Sequence, residues 1–190
     1  HHSRIEAALE ELVAAERGTS QETAMQLASQ VLLAGGKRLR PILVMLAYEM
    51  AGGDDLQEVL PLALAFELIH TATLVHDDIN DNAKLRRGVQ TIHAKHSSVE
   101  ALIAGDYLFV LGFGLGGRYP EPVVKRMADC CAEIAAAELK QLTHIYDLAT
   151  TPEDYYQVIL GKTAGPFSAG CAGAAMVAGA NPEQVQAFSE

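Results

Sequence analysis

Apolar residues recur along this chain at intervals of three and four positions, which is the spacing of one face of an α-helix. Sustained alternation of apolar and polar residues, the signature of a half-buried strand, is almost absent. The pattern predicts an all-α protein in which residues 83–92 form a loop. The predicted helices cover about 3–16, 20–34, 41–51, a long segment that ends near the aspartates at 77–81, 97–115 and 123–147, and two more begin after 151 and 181.

Short polar and glycine-containing stretches mark where these helices begin and end. Gly35-Gly36 ends the second helix, and Pro41 suits the first turn of the third, which is apolar on most sides and predicted to be buried. The other starts pair a polar N-cap residue with a suitable first turn. They are Ser20, Asp55 with Glu58, Thr151 with Pro152, and Asn181 with Pro182. We therefore predict one helical domain over 1–190.

The most informative stretch is the apolar segment 66–82, which ends in three carboxylates. Asp77 and Asp81 are four positions apart, so a helix places them on one face, and Asp78 lies about 100° round from Asp77. Like charges this close repel one another unless a cation holds them, and Mg²⁺ binds carboxylate oxygens together with waters and substrate phosphates. The basic run 84–87 follows at once. Carboxylates that hold metal, beside bases that hold phosphate, favour a diphosphate substrate.

Two other interpretations compete for this acidic stretch. An acidic helix end is most often a solvated surface with no ligand. A calcium-binding loop that starts at Asp78 would need glycine where Ala83 stands and glutamate where Val89 stands, so the loop pattern fails. The choice between a solvated surface and a metal–diphosphate site therefore depends on the rest of the chain.

Composition narrows the class of protein without identifying it. The net charge of −10 argues against nucleic acid as a partner. The three cysteines, two of them adjacent, make no disulfide framework and fit a reducing cytosol. No apolar run reaches the roughly 18 residues of a membrane span, and no signal peptide is visible. We interpret His1 and His2 as the remnant of a tag. The sequence predicts a cytoplasmic protein without a membrane span.

Two further basic sites and one histidine accompany the acidic stretch. Lys37 and Arg40 lie three apart at the start of a helix, whose terminal amides add affinity for anions, although a solvated basic turn has the same pattern. Lys162 lies inside an otherwise apolar helix, where a lysine either extends to water or meets an anion. His70 lies on the face that leads to Asp77, where a lone histidine is usually a satisfied core group. None of these residues identifies a ligand by itself.

Taken together, these residues resemble a known family, the trans-isoprenyl diphosphate synthases, and in particular its medium- and long-chain members. Six sequence blocks match the family in order and span nearly the whole chain. They are Gly35-Gly-Lys-Arg-Leu-Arg-Pro41, Ile69 to Asp81, Leu85-Arg-Arg-Gly88, Ala104-Gly-Asp-Tyr-Leu108, Glu138 to Gln141, and Gly161-Lys-Thr163. Six blocks in order are far more specific than any one of them.

The resemblance implies a fold, an activity and an assembly. The implied fold is a helical bundle around a deep apolar cavity, the isoprenoid synthase fold, usually assembled as a homodimer. The implied activity is that of a Mg²⁺-dependent prenyltransferase. It condenses an allylic diphosphate head-to-tail with isopentenyl diphosphate to make a polyprenyl diphosphate.

The resemblance also implies roles for residues at matching positions. Mg²⁺ on the allylic diphosphate would be held by Asp77, Asp78 and Asp81. Arg86 and Lys162 would contact the same diphosphate, and Thr163 would help to shield the carbocation. The residues implied for isopentenyl diphosphate are Lys37, Arg40, His70 and Arg87.

The chemistry of such a condensation explains these residue types. Breaking the C–O bond of an allylic diphosphate leaves a cation and a diphosphate anion, whose charge is stabilised by metal ions and cationic side chains. Apolar walls exclude water, which would quench the cation. The last proton would go to the departed diphosphate, so no dedicated base is required.

One part of the family pattern is not found here, and two related functions stay open. Family members carry a second aspartate-rich motif beyond the Lys-Thr helix; this sequence ends before it, so we expect the C-terminal part of the fold to be missing. A terpene cyclase shares the fold, but it binds no isopentenyl diphosphate and would not need the basic block 35–40. A non-catalytic partner subunit of a heterodimeric synthase is the other alternative, against which the intact first aspartate motif argues.

The helix before Asp77 carries a geometric prediction about product length. One helical turn rises about 5.4 Å, close to one isoprene unit, so a bulky residue one turn before Asp77 would stop chain growth early. Ala72 and Thr73 stand there, and both are small. Unless a neighbouring helix supplies the limit, we predict a product longer than geranylgeranyl diphosphate. Its tail would pass Ile69 and reach Phe66, a candidate limit deeper in the channel.

Overall fold

The computed structural model describes residues 1–190, and its secondary structure is predominantly helical, as the sequence predicts. A π-helical turn, Leu160–Ala164, joins α8 to α9, and two short strands, β1 (Leu85–Arg86) and β2 (Val89–Gln90), form a hairpin. The helices are α1 (His2–Ala15), α2 (Glu22–Leu32), α3 (Leu39–Met50), α4 (Leu56–Asn80), α5 (Ile92–Lys95), α6 (Ser98–Gly116), α7 (Glu121–Thr143), α8 (Pro152–Ile159), α9 (Gly165–Val177) and α10 (Pro182–Ala187).

Contacts within the chain divide it into two compact units. The first comprises His1–Ile42 and Ala63–Leu115, and the second comprises Leu43–Leu62 and Gly116–Glu190. The single domain over 1–190 and the deep apolar cavity therefore stay predictions.

The first unit buries the apolar faces of its helices around α4. Every residue from Ala63 to Ile69 is buried, including the charged Glu67. A helix that is apolar on nearly all sides is expected to be covered on all of them. The large side chains that are fully buried in this unit include Ile5, Leu9, Met25, Leu32, Leu68, Val75 and Leu108. The residues at the end of α4 therefore follow directly on a buried, rigid part of the helix.

The second unit packs small residues closely. The Ala172–Ala175 segment of α9 is buried throughout. A Cβ atom added at Gly161, in the π-helical turn, would lie 2.6 Å from the Cβ of Ala137 in α7. Only glycine permits that approach, so the two elements meet almost backbone to backbone.

Two of the predicted helix starts are confirmed. The hydroxyl of Thr151 accepts a hydrogen bond from the backbone N–H of Asp154 over 3.2 Å, and α8 begins at the following Pro152. The side chain of Asn181 accepts from the N–H of Gln184 over 2.9 Å in the same way. Both are complete capping boxes.

One other predicted cap is wrong, and another is confirmed in part. Ser20 does not cap α2, because the N-cap position belongs to Gln21, whose side chain accepts a hydrogen bond from the Ser20 hydroxyl over 3.0 Å. The carboxylate of Asp55 accepts a hydrogen bond of 2.9 Å from the N–H of Gln57, and α4 begins after Asp55 as predicted, but Glu58 does not close a capping box with it. The Glu58 carboxylate instead accepts a hydrogen bond of 2.6 Å from the hydroxyl of Tyr48 in α3. A partner from another helix thus outcompetes the local one.

The prediction that α3 is buried on most sides is also wrong. Met45 and Tyr48 are fully buried, but one stripe of the helix is exposed. Its members are Leu39, Leu43, Leu46 and Met50. An apolar helix can be buried on every side, but its own sequence does not determine which sides the rest of the chain covers.

The predicted loop over 83–92 contains a hairpin. Its strands pair antiparallel, with Leu85 opposite Gln90. The two residues between them, Arg87 and Gly88, have φ values of 52° and 83°. Two consecutive left-handed residues form a type I′ turn, whose twist matches that of paired strands. Strands of two residues are too short to show alternation, which is why the pattern missed them.

Two helices, α4 and α6, are long and apolar enough to cross a membrane by length and composition. In α4, 67% of the most apolar stretch is buried inside the protein, as in a core helix, whereas in α6 the share is 33%. Length and composition alone do not place either helix in a membrane, and the absence of a membrane span stays a prediction.

Candidate functional site

The predicted carboxylates lie where α4 ends. The backbone N–H of Ala83 bonds to the carbonyl of Asp78 over 2.9 Å, and Asn82 between them has a left-handed φ of 51°. This is a Schellman ending, in which asparagine is one of the few residues that substitutes for glycine. It leaves Asp77 and Asp78 in the last turn of α4 and Asp81 just beyond it.

The hairpin returns Arg86 to the end of α4. Its Nε lies 2.8 and 2.9 Å from the two carboxylate oxygens of Asp78, and its Nη2 lies 2.7 Å from one of them. The hydrogen bond to Asp78 raises the pKa of Arg86; burial works against this, and the charges of Asp78, Asp77 and Asp81 add to it. The predicted acidic and basic groups therefore share one region.

The three aspartates do not form one set of metal ligands in this structure. No group of three His, Cys, Asp or Glu side chains is arranged to hold a metal ion, and Asp78 is turned to Arg86. Asp77 and Asp81 occupy successive helical turns, with the N–H of Asp81 bonded to the carbonyl of Asp77 over 2.8 Å. Mg²⁺ is usually bound through one or two carboxylates plus waters and phosphates, so this pair fits the ion. Asp77, Asp78 and Asp81 as ligands therefore all stay predictions.

A second group of predicted residues surrounds one cavity in the same unit. The cavity has a volume of about 350 Å³. Its lining includes all four residues implied for isopentenyl diphosphate, which are Lys37, Arg40, His70 and Arg87. The sequence separates the first from the last by about 50 positions, and the fold brings them together. Arg38 and Glu67, which pair with each other, also line the cavity, and the three other permanent cations form a site for an anion.

Backbone geometry at two turns places these cations. Gly35 has a φ of 83° and ends the segment after α2. Arg87, at the tip of the hairpin, donates a hydrogen bond to the Gly35 carbonyl. A Cβ atom at Gly36 would lie 2.9 Å from a guanidinium nitrogen of Arg87. The two glycines thus let the loop and the hairpin tip approach closely.

His70 is a neutral group among these cations. Burial, together with the charges of Arg40, Arg87, Arg86 and Arg38, lowers its pKa to about 3. At neutral pH the imidazole is therefore uncharged, and it can donate one hydrogen bond without competing with the cations for counter-charge. Arg87 of the cavity and Arg86, which bonds to Asp78, are adjacent in the chain, so the cavity and the acidic end of α4 are close.

Lys162 and Thr163 lie in the second unit, on the π-helical turn. Lys162 donates hydrogen bonds to the carboxylate of Glu138 and, over 3.2 Å, to the side-chain oxygen of Gln141, both on α7. A cavity of about 300 Å³ lies beside them. Its lining is Gln141, His144, Thr150, Tyr155, Val158, Ile159, Lys162 and Thr163. Single π-helical turns often occur at functional sites.

The residues predicted to set product length lie on the buried part of α4. Phe66 and Ile69 are nearly buried, and Ala72 has no exposed surface. Thr73 is partly exposed, and its hydroxyl donates to the carbonyl of His70 over 2.7 Å. A larger side chain at Thr73 thus has space that one at Ala72 lacks.

Sequence reasoning missed two charged residues of this region, Arg38 and Glu67. Both are buried, and a hydrogen bond of 2.7 Å joins them. A signal existed, because Glu67 is the one carboxylate in the middle of a long apolar segment. Such a residue needs a buried partner.

Comparison with known proteins relates the chain to one family. The family model described as Polyprenyl synthetase matches residues 21–190. Heptaprenyl diphosphate synthase component 2 of Geobacillus stearothermophilus is 39% identical over 182 residues, which cover 95% of this chain and 55% of that protein. Geranylgeranyl diphosphate synthase of Methanosarcina mazei is 34% identical over 194 residues, covering 99% and 59%. The chain spans about half the length of the curated relatives it matches.

Solved structures agree with this relationship. A decaprenyl diphosphate synthase from Rhodobacter capsulatus superimposes with a TM-score of 0.89 at 36% identity, over 98% of this chain and 58% of that one. A polyprenyl synthase from Caulobacter crescentus gives 0.90 at 32% identity, over 98% and 57%. The fold is therefore that of the isoprenoid synthases, and the chain belongs to the polyprenyl synthetase family.

Proposed function

We propose that this protein is a prenyltransferase that condenses an allylic diphosphate head-to-tail with isopentenyl diphosphate. The observation that carries this proposal is the pairing of two sites within the first unit. One is the cavity lined by Lys37, Arg40, His70 and Arg87, and the other is the acidic end of α4 with Arg86. Two anion-binding regions, only one of them rich in carboxylates, suit two diphosphates of which one arrives with metal.

The names of the relatives support the reaction class. They include geranylgeranyl, heptaprenyl and nonaprenyl diphosphate synthases. The Caulobacter structure is described as complexed with calcium and isoprenyl diphosphate. A divalent cation and a prenyl diphosphate are the two ligands that the charge pattern of this chain would accept.

The acidic end of α4 would bind the allylic diphosphate. Asp77 and Asp81 would hold Mg²⁺, which neutralises charge on a bound diphosphate as its C–O bond breaks. Arg86 would turn one face of its guanidinium to the same diphosphate, because its side chain is 28% exposed. The resemblance to the family implies that Lys162 is a further cation on this diphosphate and that Thr163 helps to shield the carbocation, and both roles stay predictions.

The cationic cavity would hold isopentenyl diphosphate without metal. Lys37, Arg40 and Arg87 would neutralise its diphosphate, and His70 would donate a hydrogen bond as a neutral imidazole. The new C–C bond joins the allylic carbon to the terminal alkene carbon of isopentenyl diphosphate. The departed diphosphate keeps the electrons of the C–O bond and accepts the proton that is lost.

The product is proposed to be longer than geranylgeranyl diphosphate, because Ala72 and Thr73 are small. Thr73 is the sharper position to test, since it is partly exposed whereas Ala72 is enclosed. Thr73→Phe should shorten the product and leave the first condensation largely intact, while the matched variant Thr73→Ser should not. An unchanged product distribution in Thr73→Phe would show that this helix does not set the product length.

We further propose a homodimer. One side of α6 is apolar and exposed, and its members are Val99, Leu102, Ile103, Val110 and Phe113. An unpartnered apolar stripe of this length suits a second helix. The Geobacillus relative is named as component 2 of a synthase, which suggests a different chain as the partner. Light scattering on the purified protein alone should give the mass of two chains, and a monomeric mass would favour the heteromeric assembly.

The deciding experiment offers labelled isopentenyl diphosphate with each allylic primer to the full-length protein and sizes the products. We expect chain elongation that needs Mg²⁺ and both substrates. Turnover of an allylic diphosphate without isopentenyl diphosphate would indicate a terpene cyclase. No turnover by the protein alone, with turnover restored by a second subunit, would indicate a heteromeric synthase.

A further inference from the structure

Arg38 stands in the middle of the basic loop Gly35–Pro41, but its side chain is buried. The side chain is 1% exposed, although it carries a permanent charge. Each guanidinium nitrogen donates over 2.7 Å to an acceptor on a different element. Nε donates to Glu6 of α1, Nη1 to Glu67 of α4, and Nη2 to the carbonyl of Leu32 at the end of α2.

Arg38 and Glu6 of this cluster remain charged. Burial works to lower the pKa of Arg38, but the hydrogen bonds to Glu6 and Glu67 outweigh it and raise the pKa. The hydrogen bond from Arg38 in turn lowers the pKa of Glu6. A buried arginine with two carboxylates and a carbonyl has its main donors satisfied, so this guanidinium has no role as a free anion binder.

The backbone of Arg38 is held in an uncommon conformation. Its φ is 50°, and its carbonyl accepts a hydrogen bond from the N–H of Ile42 over 3.1 Å, which places Arg38 at the start of α3. A left-handed residue other than glycine is strained, and it persists where its surroundings hold it. The buried side-chain cluster provides that hold. The directions of the neighbouring Lys37 and Arg40 therefore follow from where Arg38 is anchored.

The same cluster links the loop to the opposite wall of the cavity. Glu67 lies one helical turn before His70 on α4, and the hydroxyl of Thr71 donates a hydrogen bond of 2.8 Å to the Glu67 carbonyl. Arg38 thus ties the segment that carries Lys37 and Arg40 to the helix that carries His70. The spacing between the cations and the imidazole depends on this one connection.

We propose that Arg38 is a positioning residue of the isopentenyl diphosphate site. By pairing with Glu6 and Glu67 it holds the Gly35–Pro41 loop so that Lys37 and Arg40 face His70 and Arg87. The inference rests on the proposed function for the identity of the substrate. It does not rest on it for the claim that Arg38 controls the binding of a diphosphate.

The test needs a variant that folds. Arg38→Met alone leaves Glu67 buried without a partner, so the double variant Arg38→Met/Glu67→Gln is the informative one. It removes both buried charges and keeps similar side-chain volumes. Arg38→Lys is the conservative variant, which keeps a charge but supplies no planar fork. A matched control removes an ion pair of the second unit, Lys125→Met/Asp129→Asn, whose charges lie 2.7 Å apart.

Steady-state kinetics separate positioning from general damage. In the double variant we expect the KM for isopentenyl diphosphate to rise about tenfold or more, because a loop that is not preorganised must be ordered on binding. The KM for the allylic substrate and kcat should stay within about twofold of wild type. Arg38→Lys should fall between the double variant and wild type, and the control pair should not change the KM. A proportional loss in both KM values and kcat would overturn the proposal.

A binding measurement keeps this inference distinct from the proposed function. Inorganic pyrophosphate is titrated calorimetrically into wild type and the double variant in the presence of EDTA, so that binding needs no metal. Weaker binding in the double variant supports the role of Arg38 even if the wild type fails to condense isopentenyl diphosphate, which would reject only the proposed function. Equal binding by the two proteins overturns the role of Arg38.

Discussion

Two arginines of the first unit pair with carboxylates at the same distance of 2.7 Å, yet their surroundings differ. Arg38 is closed off, with 1% of its side chain exposed against 6% for Glu67. Arg86 is half open, with 28% exposed against 4% for Asp78. The first pair holds the start of α3 against α4 inside the unit, whereas the second lies at the end of α4 beside the proposed allylic diphosphate site.

This difference teaches that burial, and not the length of an ion pair, separates structural from available charge. An enclosed pair cannot exchange its partner for a ligand without exposing a carboxylate in the interior, which is strongly unfavourable. A half-open pair can rotate one face to a phosphate while it keeps the other on its partner. The two pairs therefore predict different responses to mutation.

The largest effect is expected at the open, acidic end of α4. Asp77→Ala should lower kcat by about three orders of magnitude or more at saturating Mg²⁺, because stabilisation of charge by the metal contributes several kcal/mol to catalysis. The control is Asp129→Ala, which removes an exposed carboxylate paired with Lys125 on α7. A near-normal kcat in Asp77→Ala would reject Asp77 as a metal ligand.

Stability should rank the two arginines in the opposite order to activity. Arg38→Met should lower the free energy of unfolding by about 3–5 kcal/mol, because it leaves Glu67 unpaired inside the protein. Arg86→Met should lower it clearly less, because Arg86 itself lies toward solvent with 28% of its side chain exposed, so that water can take its place beside the buried Asp78. Urea unfolding of both variants measures the two losses, and equal losses would contradict the distinction between closed and open pairs.

A smaller effect separates the two diphosphates. Arg40→Ala should raise the KM for isopentenyl diphosphate about 10- to 100-fold, the size expected for the loss of one charge-assisted contact of about 1.5–3 kcal/mol. Arg86→Ala should act mainly on the KM for the allylic substrate. Initial rates with each substrate varied in turn measure both constants. A rise confined to the allylic KM in Arg40→Ala would mean that the two sites are reversed.

The smallest effect is a pH dependence that belongs to His70. Burial and the charges of the neighbouring arginines lower its pKa from 6.5 to about 3, so between these pH values the unfolded chain binds a proton that the folded protein does not. His70 therefore leaves the free energy of unfolding unchanged above about pH 6.5. Below that pH it lowers the free energy of unfolding by about 1.4 kcal/mol for each pH unit. His70→Asn should have a shallower decrease in stability between pH 7 and pH 5 than wild type. Identical slopes would show that His70 is not held neutral.

The sequence anticipated the helices and the main groups of the site, for identifiable reasons. The spacing of Asp77, Asp78 and Asp81 predicted the acidic site, since residues close in sequence at a helix end are close in space. The cationic cavity came from sequence blocks that resemble a family, because no local pattern relates Lys37 to Arg87.

Other features were beyond local patterns. The left-handed φ at Arg38 breaks the helical phase of the basic loop, so its spacing does not indicate that this arginine turns inward while Lys37 and Arg40 do not. The pairing of Arg86 with Asp78 depends on a hairpin with strands of two residues, which shows no alternation. In the same way, Glu58 accepts a hydrogen bond from Tyr48 of another helix and does not close the predicted capping box.

The hairpin has a mechanical consequence for the two substrates. Arg86 and Arg87 are adjacent residues, but one reaches the end of α4 and the other reaches the Gly35 carbonyl. Successive Cα atoms are about 3.8 Å apart across a rigid peptide, and a type I′ turn restricts the dihedral angles on either side. The backbone positions of the two arginines therefore move together. In the proposed function, a tilt of this short ribbon at one diphosphate would also move the arginine assigned to the other.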